Sequence, residues 1–297
     1  MKYSILFLLL AIPSVSHAME FRIGPATFNW QLDMGFMQSD FDINATVFSI
    51  SEQHNNFADS KFYYFYNADI YQSDYVDKIT TLVTRPITQD YPGFGSVNDA
   101  VADNSSIPVP ADYKIRGFDL NLGLGYDLFR NKKGLVGVGI NTGISLPVMK
   151  MKNMDQAIST TYKLLETTET SITTYKLGPI LHAQYEIIPK VLMYGTLSAG
   201  LQTGSIENDY VKSSLDVDGS YTFLDLGVRF TPWEKTADLG WIQLSPKLYF
   251  TVGYSYKKWD MDDITVDTYD IATFSSGGLF SNSFDTNYFY LGLGFDF

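Results

Sequence analysis

Phe118-Asp119-Leu120-Asn121-Leu122-Gly123-Leu124-Gly125-Tyr126-Asp127-Leu128 places a bulky apolar side chain at every even position and a small or polar one at every odd position. Successive side chains of a β-strand point to opposite sides, so this stretch reads as a strand with one greasy and one polar face. After a turn at 130–134 the alternation resumes: Val136, Val138, Ile140, Ile144 and Leu146 against Gly137, Gly139, Asn141, Gly143 and Ser145. The two runs form an amphipathic hairpin.

Working outward, the same period appears at Tyr175–Ile187, at Val191–Gln202 after the Pro189-Lys190 turn, at Phe223–Phe230 and at Lys247–Tyr256. In the N-terminal third Phe28, Trp30, Leu32, Met34 and Phe36 share one face, Phe41, Ile43, Ala45 and Val47 another, and Phe62, Tyr64, Tyr66, Ala68 and Ile70 a third. Read by one rule, apolar out, these strands turn Asp33 and Asp42 inward. With Phe284–Phe297 the strands number about ten, an even number as in bacterial single-chain barrels. Pairing of Tyr75–Thr84 as an extra strand leaves twelve open.

Alternation alone does not separate a sandwich from a barrel. Two features favour an all-β, antiparallel, up-and-down transmembrane barrel. The connections near 51–60, 130–134, 189–190 and 232–240 are short, while those near 72–112, 149–172 and 259–284 are long, the asymmetry of short periplasmic turns and long outer loops. A hairpin at Ser39-Asp40 is the exception, being short on the outer side. The second faces are also too charged for a packed sandwich core. Trp30, Trp233, Trp241 and Trp259 fall near strand ends, where aromatic girdles meet the bilayer interfaces.

Composition agrees. The chain is 15% aromatic with 21 Tyr and 21 Phe, yet no stretch supplies the ~20 consecutive apolar residues of a membrane helix. Lys2, the apolar run Ile5–Ile12 and the small residues Ser16 and Ala18 read as a secretory signal peptide over 1–18, cleaved after Ala18, followed by one barrel domain over 19–297. Loss of Lys2 leaves 20 of the 21 basic residues against 33 acidic ones. A chain this acidic disfavours nucleic acid. Without cysteine there are no disulfides, thiolate metal sites or thiol nucleophiles.

The chain ends Asn287-Tyr288-Phe289-Tyr290-Leu291-Gly292-Leu293-Gly294-Phe295-Asp296-Phe297, with Phe289, Leu291, Leu293, Phe295 and Phe297 on one face. Together with the signal peptide, this segment resembles the C-terminal strand of bacterial outer-membrane β-barrel proteins. That resemblance implies an outer-membrane location, contact with outer-membrane lipids and lipopolysaccharide, and recognition of the last strand by the barrel assembly machinery. Ten strands and this length also resemble the omptin proteases, but their Asp-x-His half-site has no counterpart here, and neither His54 nor His182 opens a phospholipase-like His-x-Ser.

The polar faces nominate Asp119, Asn121, Asp127, Lys176, His182, Glu186, Asp225, Arg229 and Lys247 as lumen-lining residues. His182 and Glu186 share a face but stand about 13 Å apart along a strand, too far for a direct acid–base pair. Asp260, Asp262, Asp263, Asp267 and Asp270 form an oxygen-rich stretch without the glycine and glutamate of an EF-hand, and read as a solvated loop. The Gly-x-Gly runs at 123–125 and 137–139 lie on strands with no following helix, so they are not phosphate loops. Residues 153–171 carry Met154, Ile158, Tyr162 and Leu165 at helical spacing. The reading is a non-enzymatic barrel with no cofactor and a surface-interaction or envelope-structural role. A narrow solute channel is the first alternative, and a lipid- or peptide-modifying enzyme the second.

Overall fold

The computed structural model describes residues 18–33, 37–57, 60–84, 105–154, 156, 167–208, 214–238, 243–268, 272–275 and 281–296. Residues 1–17, Trp241, Phe297 and most of the helix-spaced 153–171 segment lie outside the described residues. The strands are β1 (Ala18–Asp33), β2 (Met37–Phe57), β3 (Phe62–Ser73), β4 (Val76–Thr84), β5 (Ser105–Arg130), β6 (Gly134–Lys152) and β7 (Thr168–Ile188). They continue as β8 (Val191–Asn208), β9 (Ser214–Phe230), β10 (Ala237–Asp238), β11 (Gln243–Leu244), β12 (Leu248–Thr268), β13 (Ala272–Ser275) and β14 (Ser281–Asp296).

Neighbours in sequence pair antiparallel, and β1 meets both β2 and β14, from Ala18↔Asp296 to Asp33↔Ser281. The sheet therefore closes, which satisfies the backbone groups an open edge would leave unpaired in hydrocarbon. β3 and β4 are two halves of one wall position: β3 pairs with β5 from Tyr126 to Arg116, and β4 continues along β5 from Tyr113 to Ser105. The break at Asp74-Tyr75 is bridged by the Ile115 N–H, which donates to Ser73 Oγ at 2.9 Å. Val76–Thr84 thus lengthens the third strand instead of adding two more, and the barrel has ten wall positions. The first hairpin also turns earlier than expected, since Ser39 and Asp40 pair with Leu32 and Gln31 inside the β1–β2 ladder.

Much of the expected long loops is strand. β5 runs 26 residues and β12 runs 21, carrying Asp260–Thr268 into the wall. At the opposite end the turns are tight. Asn131 Oδ1 accepts from the backbone N–H groups of Lys133 and Gly134 at 2.8 and 2.9 Å, and Lys190 takes φ 75° in the Pro189-Lys190 turn.

The faces of the strands exchange character part-way up. On β5, outward Phe118 to Leu128 are apolar, while outward Asp112, Lys114 and Arg116 above them are charged. The inward face changes in the opposite sense, from Asp127, Asn121 and Asp119 to Ile115, Tyr113, Ala111 and Val109. The same switch falls at Thr46/Phe48 on β2, Thr173/Tyr175 on β7, Leu201/Thr203 on β8, Thr222/Leu224 on β9, Tyr256/Lys258 on β12 and Asn287/Phe289 on β14. The strand from Phe118 to Leu128, about 33 Å long and tilted by some 40°, gives a belt near the ~25 Å apolar band of outer-membrane barrels. Above the belt the wall is a sleeve in water, where the apolar side must face inward.

That switch corrects the N-terminal reading. Phe28, Trp30, Phe41, Ile43, Ala45 and Val47 are buried inside, and Asp40, Asp42 and Asn44 point outward, because these segments lie in the sleeve. The outward apolar positions of β1 are Phe21 and Ile23 instead.

Candidate functional site

The interior is the only place where charged groups from distant strands converge among the described residues. At its centre Asp119 on β5 and Asp69 on β3 face Lys176 on β7 and Lys257 on β12, all nearly fully buried. Lys257 Nζ donates to Asp69 Oδ2 at 2.8 Å, Asp119 Oδ2 at 2.5 Å and Asn67 Oδ1 at 3.1 Å. Lys176 Nζ reaches Asp119 Oδ1 at 2.5 Å and lies 4.1 Å from the Tyr221 ring centre. Asn121 donates to Asp119 at 2.7 Å, Ser145 bonds its other oxygen, and Tyr288 donates to Asp69 at 2.8 Å. Two ammonium groups and two carboxylates therefore balance in one buried layer, with Asn121, Ser145 and Tyr288 supplying further donors, while Asp69 Oδ1 is left without a partner. Buried charge persists on those terms.

A second layer lies nearer the short turns. Arg22 donates to Asp225 at 2.9 Å, Tyr194 at 3.0 Å and Glu20 at 2.7 Å, and its guanidinium carbon is 4.4 Å from the Tyr290 ring centre. Tyr290 donates to Asp225 at 2.6 Å, and Arg229 lies 4.0 Å from the Tyr249 ring centre. His182 is buried beside these, with Nδ1 2.9 Å from Thr196 Oγ1, Nε2 against Gln53 and the Tyr63 ring at 5.6 Å. The nearby void, lined among others by Gln53, Thr196, Asp225 and Arg229, has a volume of about 20 Å³. That is room for about one water molecule.

Above the charged layer the sleeve is filled by apolar and aromatic side chains. Trp259 packs on Phe284 and Tyr221 and donates from Nε1 to Ser145 at 2.8 Å, while Phe284 stacks on Phe28 and contacts Trp30. Trp30 and Trp259 are thus interior residues, not girdle residues: both lie above the switch, where inward means apolar. Trp233 does sit against outward Phe250, at 5.9 Å, near the short-turn end. Tyr113, in the sleeve, bonds Thr80 at 2.5 Å, and its phenol is raised by burial more than that bond lowers it.

Of the other nominated residues, Asp119, Asn121, Asp127, Lys176, His182 and Asp225 are buried inside, Glu186 and Arg229 are half-buried, and Lys247 is exposed at the rim. Phe289, Leu291 and Leu293 are exposed on the outer face, and Phe295 is partly so. The residues that sequence reasoning passed over are Asp69, Lys257, Glu20 and Arg22. Each alternates with an outward apolar or aromatic neighbour (Ile70, Tyr256, Phe21, Ile23), so the same period-two rule reaches them. Several inward glycines are covered by rings: a Cβ on Gly125 would lie 2.2 Å from Tyr63 Cζ, and one on Gly123 would lie 1.7 Å from Phe65 Cε1. A larger void of about 620 Å³ is an outer groove where Ala183 and Gly195 lie low between Val136, Tyr185, Met193 and Leu226. It belongs to the lipid face.

The solved structures to which this chain is similar include outer-membrane proteins. The outer membrane protease OmpT from Escherichia coli superposes with a TM-score of 0.58 over 97% of this chain and 99% of its own, at 9% identity. The fold is that of an outer-membrane β-barrel. OprG from Pseudomonas aeruginosa is matched over 95% of this chain and 97% of its own at 11% identity and a TM-score of 0.35. Ail of Yersinia pestis is matched over 95% of this chain and 100% of its own at 12% identity and a TM-score of 0.31. No protein-family model and no curated protein matches the chain. At 9% identity the likeness to OmpT speaks for the fold alone.

Proposed function

We propose that the protein is a closed-lumen outer-membrane barrel whose water-exposed sleeve and outer connections act in surface interaction or envelope structure, neither conducting solute nor catalysing a reaction. The observation that carries this reading is the Asp69–Lys257–Asp119–Lys176 layer, which ties β12 and β7 to β3 and β5 across the bore and is capped by Trp259, Phe284 and Trp30. A ten-strand bore is narrow, since diameter grows with strand number and aqueous channels open nearer sixteen. For catalysis, the His182–Thr196 contact pairs an imidazole with a hydroxyl, but a void of about 20 Å³ beside it leaves no space for a lipid or peptide. OmpT is a protease, and at 9% identity that activity does not transfer.

On this reading residues 1–18 are removed on export, and the C-terminal strand with Phe289, Leu291, Leu293, Phe295 and Phe297 is the assembly signal. Planar-bilayer recording tests the closed lumen: purified protein gives no discrete conductance steps. Reproducible steps whose size changes in Lys257→Gln would replace this proposal with the channel reading.

A further inference from the structure

Below the switch on β2 the outward residues run Phe48, Ile50 and then Glu52. Glu52 stands about 13 Å along the strand from Phe48, in the cross-strand row of Tyr66 on β3 and Leu122 on β5, and so lies within the apolar belt. It shares the parity of exposed Phe48 but is only 3% exposed itself. The Tyr64 hydroxyl donates to its Oε1 at 2.8 Å, and Tyr66, directly opposite, hydrogen-bonds the carboxylate as well. Among the described residues no cation pairs with it. The neighbouring carboxylates are answered differently: Glu20 on β1 faces the lumen and bonds Arg22, and Asp296 on β14 lies in the field of Arg229 and Lys247. A carboxylate at membrane depth is costly and calls for a partner, and phenols supply hydrogen bonds but no positive charge.

Processing creates a cation at this place in the wall. β1 and β2 pair down to Glu20↔Ser51, so the next position brings Met19 opposite Glu52, while on its other side Met19 pairs with Phe295 of β14. Opposite residues of antiparallel strands have Cα atoms about 4.5–5.5 Å apart. In the full chain the Met19 nitrogen is an uncharged amide. Hydrolysis of the Ala18–Met19 bond by water leaves a carboxylate on the departing Ala18 and an α-ammonium on Met19, charged at neutral pH. That ammonium is one bond from the Met19 Cα, within reach of a glutamate side chain on the facing strand.

We infer that Glu52, held by Tyr64 and Tyr66, is the receptor for the processed N-terminus. Removal of residues 1–18 supplies the ammonium that completes a buried ion pair at the seam where the first strand meets the last. The inference rests on cleavage after Ala18 and does not need a closed lumen. Processing thus precedes the fixing of β1 at the seam, because an uncleaved chain, with an amide at Met19, leaves Glu52 without its charge partner.

The test uses the mature chain, residues 19–297, folded in detergent micelles and treated with an amine-acetylating reagent near neutral pH. Acetylation of the Met19 amine is followed by mass spectrometry of the tryptic peptide Met19–Arg22. Only the neutral amine reacts, and a carboxylate within about 4–6 Å lowers its share about tenfold or more. Wild type is therefore acetylated at Met19 about tenfold more slowly than Glu52→Gln, which keeps the shape and loses the charge. His54→Gln and Asp296→Asn keep the slow rate. Equal rates in wild type and Glu52→Gln overturn the site, since burial alone slows both alike, and so does protection lost in Asp296→Asn but kept in Glu52→Gln. Heat-modifiable migration shows which variants are folded. If Glu52→Gln is not, wild type is read against a chain that keeps Ala18 as its first residue, which moves the ammonium about 3.3 Å along the strand and restores fast acetylation; an unchanged slow rate there overturns the site. Sequencing the N-terminus of protein recovered from outer membranes separates the underlying reading, because a first residue other than Met19 strikes cleavage after Ala18 whatever the acetylation rates.

Discussion

Replacing Lys257 with methionine keeps the stem and removes the charge that joins Asp69 to Asp119. Asp69 is then left with Tyr288 as its hydrogen-bond donor, and Asp119 with Lys176, Ser145 and Asn121. The layer changes from two cations and two anions to one and two, all of them buried. Removing one partner of a buried pair costs about 3–5 kcal/mol, mostly from the uncompensated charge. With a urea slope near 2 kcal/mol/M, the unfolding midpoint falls by about 2 M. The assay is urea unfolding in detergent micelles, followed by tryptophan fluorescence and by loss of heat-modifiable migration. Adding Asp69→Asn removes the orphaned charge and recovers more than half of the loss. A fall of less than about 0.5 M for Lys257→Met would show that water already solvates the layer, and the closed lumen would be refuted.

Other consequences are cheaper to check. Gly125→Ala drives a methyl into the Tyr63 ring, so it lowers the urea midpoint, and Tyr63→Ala in the same chain removes most of that effect, since overpacking costs about 1–3 kcal/mol. Bonds from Lys150 and Arg116 hold the Glu169 carboxyl below its ordinary value of 4.5. A carboxyl depressed in the folded state stabilises above its unfolded pKa and loses that contribution as pH falls through the folded one. Between about pH 5 and pH 3 wild type therefore loses more stability than Glu169→Gln, measured as urea midpoints at each pH. Alanine at His182, sealed among Gln53, Thr196 and Tyr63, leaves the absence of hydrolase activity unchanged; a lipase or protease activity in wild type that vanishes in His182→Ala would establish an enzyme.

The barrel was legible because a lipid-facing wall imposes one rule on every strand it contains, and Phe118–Leu128 obeys it without a break. The rule holds only inside hydrocarbon. Above it solvent reverses the polarity, and segments such as Phe41–Val47 alternate just as cleanly with the opposite meaning. Period two shows that two faces differ, not which one is wet. The corrective sign was present on β5, where the charged Asp112, Lys114 and Arg116 share the parity of Leu120 and Leu122. Such a change of character along one face marks the edge of the bilayer. Trp30 and Trp259 were misplaced for the same reason, since a strand-end tryptophan is a girdle residue only if the membrane ends there.

The interior network was half legible. Parity places Asp119 and Lys176 inside, but nothing local says that Asp119 meets a lysine 138 residues further on. Which inward groups meet across the bore depends on shear and closure, set by register over the whole sheet. The inward glycines were open to the same ambiguity, for the space they leave is taken by rings such as Tyr63 and Phe65 from β3.

The exchange of faces at the belt's upper edge is tested most directly by spin labels on outward positions of single strands in lipid bilayers. Labels at Leu122 and Leu197 are expected to collide with dissolved oxygen and to be shielded from a water-soluble nickel reagent, while labels at Asp112 on β5 and Ser205 on β8 show the reverse. Oxygen-like collision profiles at all four sites, or nickel access at Leu122, would contradict a barrel that leaves the bilayer part-way along its wall.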